Sequence, residues 1–187
     1  MAAELTTITN VSVDGYIEDA QGSFDFAVPD DEYFTFITDL VRPIGTYLYG
    51  RRLYETMAVW ETDPALAAES ELRADFADLW RSADKVVYST TLESASTART
   101  QLVPRFDPDA VRAMKASASR DLTVGGSELA AQAFDAGLVD ECHLFVHPAL
   151  LGTGKPALPI SAWTRLELLD ARRFDSGIMY LRYRTRP

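Results

Sequence analysis

Cysteine is almost missing from this sequence: Cys142 is alone among 187 residues, so no internal disulfide can brace the fold. An uncrosslinked chain of this length needs one sizeable core, and a reducing compartment suits it, so a single domain over residues 1–187 is expected. No run of eighteen apolar residues occurs, and no basic region followed by an apolar stretch opens the chain. The expectation is therefore a cytoplasmic protein with neither a membrane span nor a secretory signal. Lysine is scarce too. Lys85, Lys115 and Lys155 are the only lysines among 18 basic residues, which face 28 acidic ones. The resulting net charge of −10 argues against nucleic acid, whose phosphates demand a basic face. An anionic ligand would need a local basic pocket against that field. Histidine is limited to His143 and His147, and four residues along a strand put them about 13 Å apart. One metal ion cannot take both, so no metal site is expected. "GGSEL" lacks the glycine spacing of a nucleophile elbow, which argues against a serine hydrolase.

What is present is ordinary globular composition, 47% hydrophobic and 25% charged. "ELTTITNVSV" (4–13) alternates as a strand does, and a polar loop with Gly15 and Gly22 follows. "DEYFTFITDLV" carries Phe34, Ile37, Leu40 and Val41 at helical spacing behind Asp30 or Asp31 as a cap. "GTYLYG" reads as a strand and "RRLYETM" opens a helix. Asp63-Pro64 starts a further helix running towards Trp80. "KVVYS" is a strand, residues 91–105 are ambiguous with one irregular strand near "TQLVPRF", and Asp107-Pro108 opens another helix. "DLTVGG" and "ECHLFVHPAL" are strands flanking the helix "SELAAQAFDAG", which Gly137 ends. "LGTGKPALP" is a loop, and "TRLELLDARRF" and "GIMYLRYRT" alternate around "DSG" as a hairpin. The order predicts an α/β fold of three layers: a mainly parallel central sheet, helices on both faces, and a C-terminal antiparallel hairpin.

Three strand ends carry unusual residues: "YLYGRRLYE", "VVYSTTL" and "LTVGGSEL". In a parallel sheet all three would open on one side. Gly125-Gly126 then reads in either of two ways, as a tight turn or as backbone that a ligand approaches closely. A helix start offers free N–H groups and partial positive charge, arginine adds charge-assisted bonds, and hydroxyls complete a phosphate shell. Together the three ends describe a nucleotide-phosphate pocket.

With "VSVDGYI", "LYGRRLYETM", "VVYST" and "LTVGGSELAAQAFDAGLVDECHLFVHPALLGTGKP" taken together, nearly the whole chain resembles the dihydrofolate-reductase-like family. It is most similar to the branch typified by the reductase domain of the bifunctional riboflavin-biosynthesis deaminase-reductase. The resemblance implies an NADPH-dependent reductase of a small pyrimidine-like, pterin-like or carbonyl substrate, acting as a homodimer. It implies that Gly50, Arg51 and Arg52 hold the adenosine-side phosphate, helped by Ser89, Thr90 and Thr91. Gly125-Gly126, which the family often links by a cis peptide, would face the diphosphate, followed by Ser127, Glu128 and Leu129. Ile17 would border the nicotinamide and Asn10 would lie beneath it. Asp14, in the Asp-Gly of the first loop, is either the proton source or a turn former. Lys155, Tyr54 and Trp60 are further substrate-side candidates, set against the plainer readings of a solvated loop lysine and two core aromatics. A nucleotide-binding or regulatory homodimer without turnover remains the alternative.

Overall fold

The computed structural model describes residues 3–186, so residues 1, 2 and 187 of the expected domain lie outside it. Among the described residues no helix is long and apolar enough to cross a membrane. The chain runs β1 (Leu5–Ser12), β2 (Tyr16–Asp19), α1 (Asp31–Val41), β3 (Ile44–Gly50), α2 (Arg51–Met57), α3 (Val59–Thr62), α4 (Pro64–Ala68) and α5 (Glu71–Ser82). It continues β4 (Asp84–Tyr88), β5 (Thr100–Val103), α6 (Pro108–Ser117), β6 (Asp121–Gly125), α7 (Ser127–Asp135), β7 (Glu141–His147), β8 (Gly154–Pro156), β9 (Arg165–Arg173) and β10 (Met179–Arg186). The main sheet has the order β5-β4-β3-β6-β1-β7-β10-β9. Its pairs are parallel from β5 to β7, and β10 and β9 join antiparallel.

Strand alternation sends apolar residues to both faces, which is what a sheet between two helical layers requires. Leu48, Val86, Leu122 and Val124 meet Val111 of α6 and Leu129, Ala130 and Ala133 of α7. On the other face Tyr47, Tyr49 and Val87 meet Val41 of α1, Tyr54 of α2, and Phe76 and Trp80 of α5. Trp80 is wholly buried and its Nε1 donates to Tyr49 Oη at 3.3 Å. Burying side chains of this size contributes roughly 1.5–3 kcal/mol each.

The helix starts follow the capping chemistry. Asp30, Asp63 and Asp107 accept from Tyr33, Ala65 and Asp109 N–H. The helix expected from Asp63 to Trp80 is interrupted, because Ser70 accepts from Arg73 N–H and restarts the chain as α5. Two expected loops contain strands. Tyr16–Asp19 and Gly154–Pro156 pair as a separate antiparallel ribbon. Gly154 is obligatory there, since a Cβ would collide with the Glu18 carbonyl. Segments this short carry too little alternation to reveal their pairing. In the terminal hairpin a bulge between Arg182 and Tyr183 absorbs the extra leucine of "LELLD". Leu168 and Ala171 therefore pair with Tyr183 and Leu181 and share their face.

Candidate functional site

Strands β4, β3 and β6 are neighbours, with Gly50 opposite Tyr88 and Tyr49 opposite Gly125. The turns at Gly50-Arg51, Ser89–Thr91 and Gly125-Gly126 therefore leave three adjacent carboxyl ends of the sheet. The first and last of these touch: a Cβ built on Gly126 would lie 3.7 Å from the Gly50 nitrogen. The two glycines have different reasons for being glycine. Gly126 has φ +96°, a conformation that L side chains avoid. At Gly125 a Cβ would run into the Leu53 side chain and the Tyr49 ring. The peptide between them is trans; among the described residues none is cis, which corrects the expectation carried by the resemblance.

Helix α7 begins immediately after this turn and no side chain caps it. Its first helical bond runs from Ala130 N–H to Gly126 O, so the N–H groups of residues 127–129 have no partner among the described residues. Ser127 Oγ is buried beside them without a hydrogen bond. An open helix start with an orphaned hydroxyl fits an anionic group such as a diphosphate. Leu129 contributes only backbone here, because its side chain packs in the α6–α7 core. Glu128 is exposed and pairs with Lys155 at 3.3 Å, which places Lys155 at the start of α7. Arg51 and Arg52 are exposed and pair with Glu55 at 3.3 Å and Glu18 at 3.5 Å. Solvated pairs of this kind are worth little and exchange readily for a phosphate. Ser89 Oγ accepts from Thr91 and Leu92 N–H, folding its turn so that Thr90 and Thr91 are exposed.

Gly125 also lines a cavity of about 260 Å³ that lies between the sheet and the α1–α5 layer. Its floor is Ile8, Asn10, Tyr47, Tyr49, Thr123 and Gly125. The opposite wall is a stripe of α1, Tyr33, Phe34, Ile37 and Val41, closed by Leu53, Met57, Trp60 and Phe76. None of the lining residues is charged, and Lys155 is not among them. Trp60 is in the wall, with ring centroids 5.8 Å from Phe34 and 4.7 Å from Phe76.

Asn10 provides the polar feature of that floor. Its Oδ1 accepts from Tyr33 Oη at 2.8 Å and from His147 Nε2 at 2.9 Å. A carbonyl oxygen only accepts, so His147 carries its proton on Nε2. Burial pushes the His147 pKa down and keeps the ring neutral, with Phe26 edge-on at 5.5 Å. Two donors on one oxygen fix the amide, and Asn10 Nδ2 has no partner among the described residues. His147 and Tyr33 were not expected as site residues. Sequence spacing marked His147 only as half of an implausible metal pair, and Tyr33 sits in a helix whose stripe reads as core.

Two expectations are corrected by geometry. Asp14 is exposed and does not line the cavity. Its carboxylate accepts from Ser12 Oγ at 2.7 Å, Gly152 N–H at 2.7 Å and Leu151 N–H at 3.1 Å. The Ser12 bond foremost, then the two amides, hold its pKa below the usual value, so it fastens the 151–152 loop as an ionised group and is a poor proton source. Tyr54 is buried on the far side of α2, where its hydroxyl accepts from Ser96 N–H at 2.9 Å and Thr97 N–H at 3.2 Å. It anchors that loop. Ile17, on β2, is half-buried and is not part of the cavity wall.

Residues 3–180 match the family described as RibD C-terminal domain. The chain is 27% identical over 175 residues to the Bacillus subtilis (strain 168) "Uncharacterized protein YyaP", covering 92% of this chain and 90% of that one. Its fold is similar to a putative riboflavin biosynthesis protein from Shewanella sp. PV-4, with TM-score 0.77, 19% identity and full coverage of both chains. A pyrimidine reductase-like protein from Corynebacterium diphtheriae superposes with TM-score 0.65 at 14% identity, over 99% of this chain and 92% of that one. The bifunctional deaminase/reductase from Thermotoga maritima matches with TM-score 0.65 at 13% identity, and this chain spans 57% of its length. The fold is thus shared with these proteins, and the chain belongs to the RibD C-terminal domain family.

Proposed function

We propose that this protein is an NADPH-dependent reductase that transfers a hydride to a small heterocyclic or carbonyl substrate. One observation carries the reading: Gly125 belongs both to the turn cluster suited to phosphates and to the wall of the apolar cavity. A dinucleotide gripped at the turns would reach the cavity with its redox end. The 127–129 N–H groups and Ser127 Oγ would hold the diphosphate, and Arg51, Ser89, Thr90 and Thr91 the adenosine-side phosphate. NADPH supplies the hydride when bound. The chain's own part is to exclude water through the aromatic wall, to fix the acceptor ring against the sheet, and to donate from Asn10 Nδ2. Family membership and the reductase-like names of the structural relatives support this reading. Titration of the protein with NADPH, followed by nicotinamide fluorescence, is expected to saturate below millimolar concentration; no binding at all would remove the proposal. Saturation without NADPH oxidation by any pterin, pyrimidine or carbonyl compound would favour the binding module without turnover.

We also propose that two copies pair through the terminal hairpin, and a reducing cytoplasm suits the lone, buried Cys142. Leu166, Leu168 and Met179 are exposed on β9 and β10, beside Trp163, which is 85% exposed. Exposed apolar side chains along an edge strand suit a subunit contact. Light scattering should give twice the chain mass, and L168E should halve it; a monomeric parent protein would sink the pairing.

A further inference from the structure

The cavity's chemistry narrows the substrate beyond what reduction of a heterocycle or carbonyl states, and this narrowing rests on the reductase reading. Apart from the fixed Asn10 amide, the cavity's polar groups are the hydroxyls of Thr123 and three tyrosines, and most of these have internal partners. Thr123 Oγ1 donates to Thr6 O, Tyr33 Oη to Asn10, and Tyr49 Oη accepts from Trp80. Among the described residues no lysine, arginine, aspartate or glutamate lines it. Arg52, Lys155 and Arg172 stand outside its wall, in solvated pairs with Glu18, Glu128 and Glu32. A charged group taken into such a wall would lose its hydration without gaining a counter-ion, which is costly. Volume adds a limit. An apolar cavity of about 150 Å³ holds one benzene ring, so about 260 Å³ accommodates two fused rings in the free protein, and one ring beside the cofactor's redox end when that shares it.

We propose that the substrate is an uncharged, largely apolar molecule of one or two rings that presents a single carbonyl or ring-nitrogen acceptor to Asn10 Nδ2. A phosphoribosylated pyrimidine is disfavoured, since no cation in the wall would meet its phosphate. With a quinone the chemistry balances as hydride addition plus one proton from water, giving the hydroquinone and NADP⁺.

The test uses the full chain with W163F, which removes the exposed tryptophan and leaves Trp60 in the cavity wall and Trp80 buried behind Tyr49. Without NADPH, 1,4-naphthoquinone should quench tryptophan emission saturably, and its 2-sulfonate should bind about tenfold or more weakly. W60F, which leaves Trp80 as the one emitter, should remove most of the saturable change. N10D keeps the acceptor for Tyr33 and His147 but removes the amide donor, and should weaken naphthoquinone binding by roughly tenfold. Equal binding of the sulfonate, no saturable quenching, or faster NADPH oxidation with a phosphoribosylaminopyrimidine than with the neutral ring would each overturn the proposal. NADPH binding is titrated separately. Its absence would defeat the reductase reading, while the naphthoquinone arm would still judge the cavity.

Discussion

The two halves of the site are built on opposite principles. The turn cluster uses backbone: unpartnered N–H groups, three glycines, short hydroxyl side chains and exposed arginines. The cavity uses side chains, mostly aromatic and aliphatic, brought from three strands, four helices and the loop before α1. Backbone recognition is tolerant of what surrounds it and recurs wherever a strand meets a helix start. A packed wall depends on every member's volume. Cofactor and substrate preferences can therefore vary independently here, with Gly125 as the hinge between them.

The largest effect should come from breaking that shared point. G125V adds a Cβ against Leu53 and Tyr49, so overpacking is expected to cost roughly 1–3 kcal/mol and to remove both NADPH and ring binding. Chemical denaturation and two titrations would check it, and loss of only one ligand would separate the halves. R51A should touch the turn cluster alone. Loss of a charge-assisted bond worth about 1.5–3 kcal/mol predicts NADPH binding weakened tenfold or more, with NADH and naphthoquinone little changed.

A smaller effect is expected from His143, which lies on the same face of β7 as His147 and, like it, outside the cavity wall. Burial pushes its pKa down to about 4, and its Nδ1 meets Tyr180 Oη at 2.7 Å. The unfolded chain binds that proton more readily than the folded one. Its contribution to stability is therefore complete above pH of about 6.5 and is lost as pH falls towards about 4, with a slope of at most about 1.4 kcal/mol per pH unit. Urea midpoints between pH 7 and 4 should show the fall, flattened in H143Q. D14N should do least: since Asp14 stands outside the cavity, NADPH oxidation should stay within about threefold of the parent protein. A loss of a hundredfold would restore Asp14 as the proton source.

The halves also differ in legibility. Gly50-Arg51, Ser89–Thr91 and Gly125-Gly126 stand out because glycine, arginine and hydroxyl residues at strand ends break the hydrophobic periodicity around them. Trp60 could be named as an alternative to core, while Tyr33, Phe34, Ile37 and Tyr49 carry the same periodicity as any buried stripe. Nothing local separates a residue that packs against a neighbour from one that packs against a gap. Tyr54 was misassigned for the same reason, its neighbours Leu53 and Met57 reaching the cavity while it turns to Ser96.

Local chemistry in the chain was enough for the layered α/β architecture, the capped helix starts, the terminal hairpin and the three turns, since each follows from periodicity, capping or glycine within a few residues. Only tertiary structure decided that β6 inserts between β3 and β1, that Asn10 meets Tyr33 and His147 across 23 and 137 residues, and that Asp14 is tied down by Leu151 and Gly152. Those relations depend on which strands become neighbours and on the volume left between layers, and no short stretch of sequence encodes either.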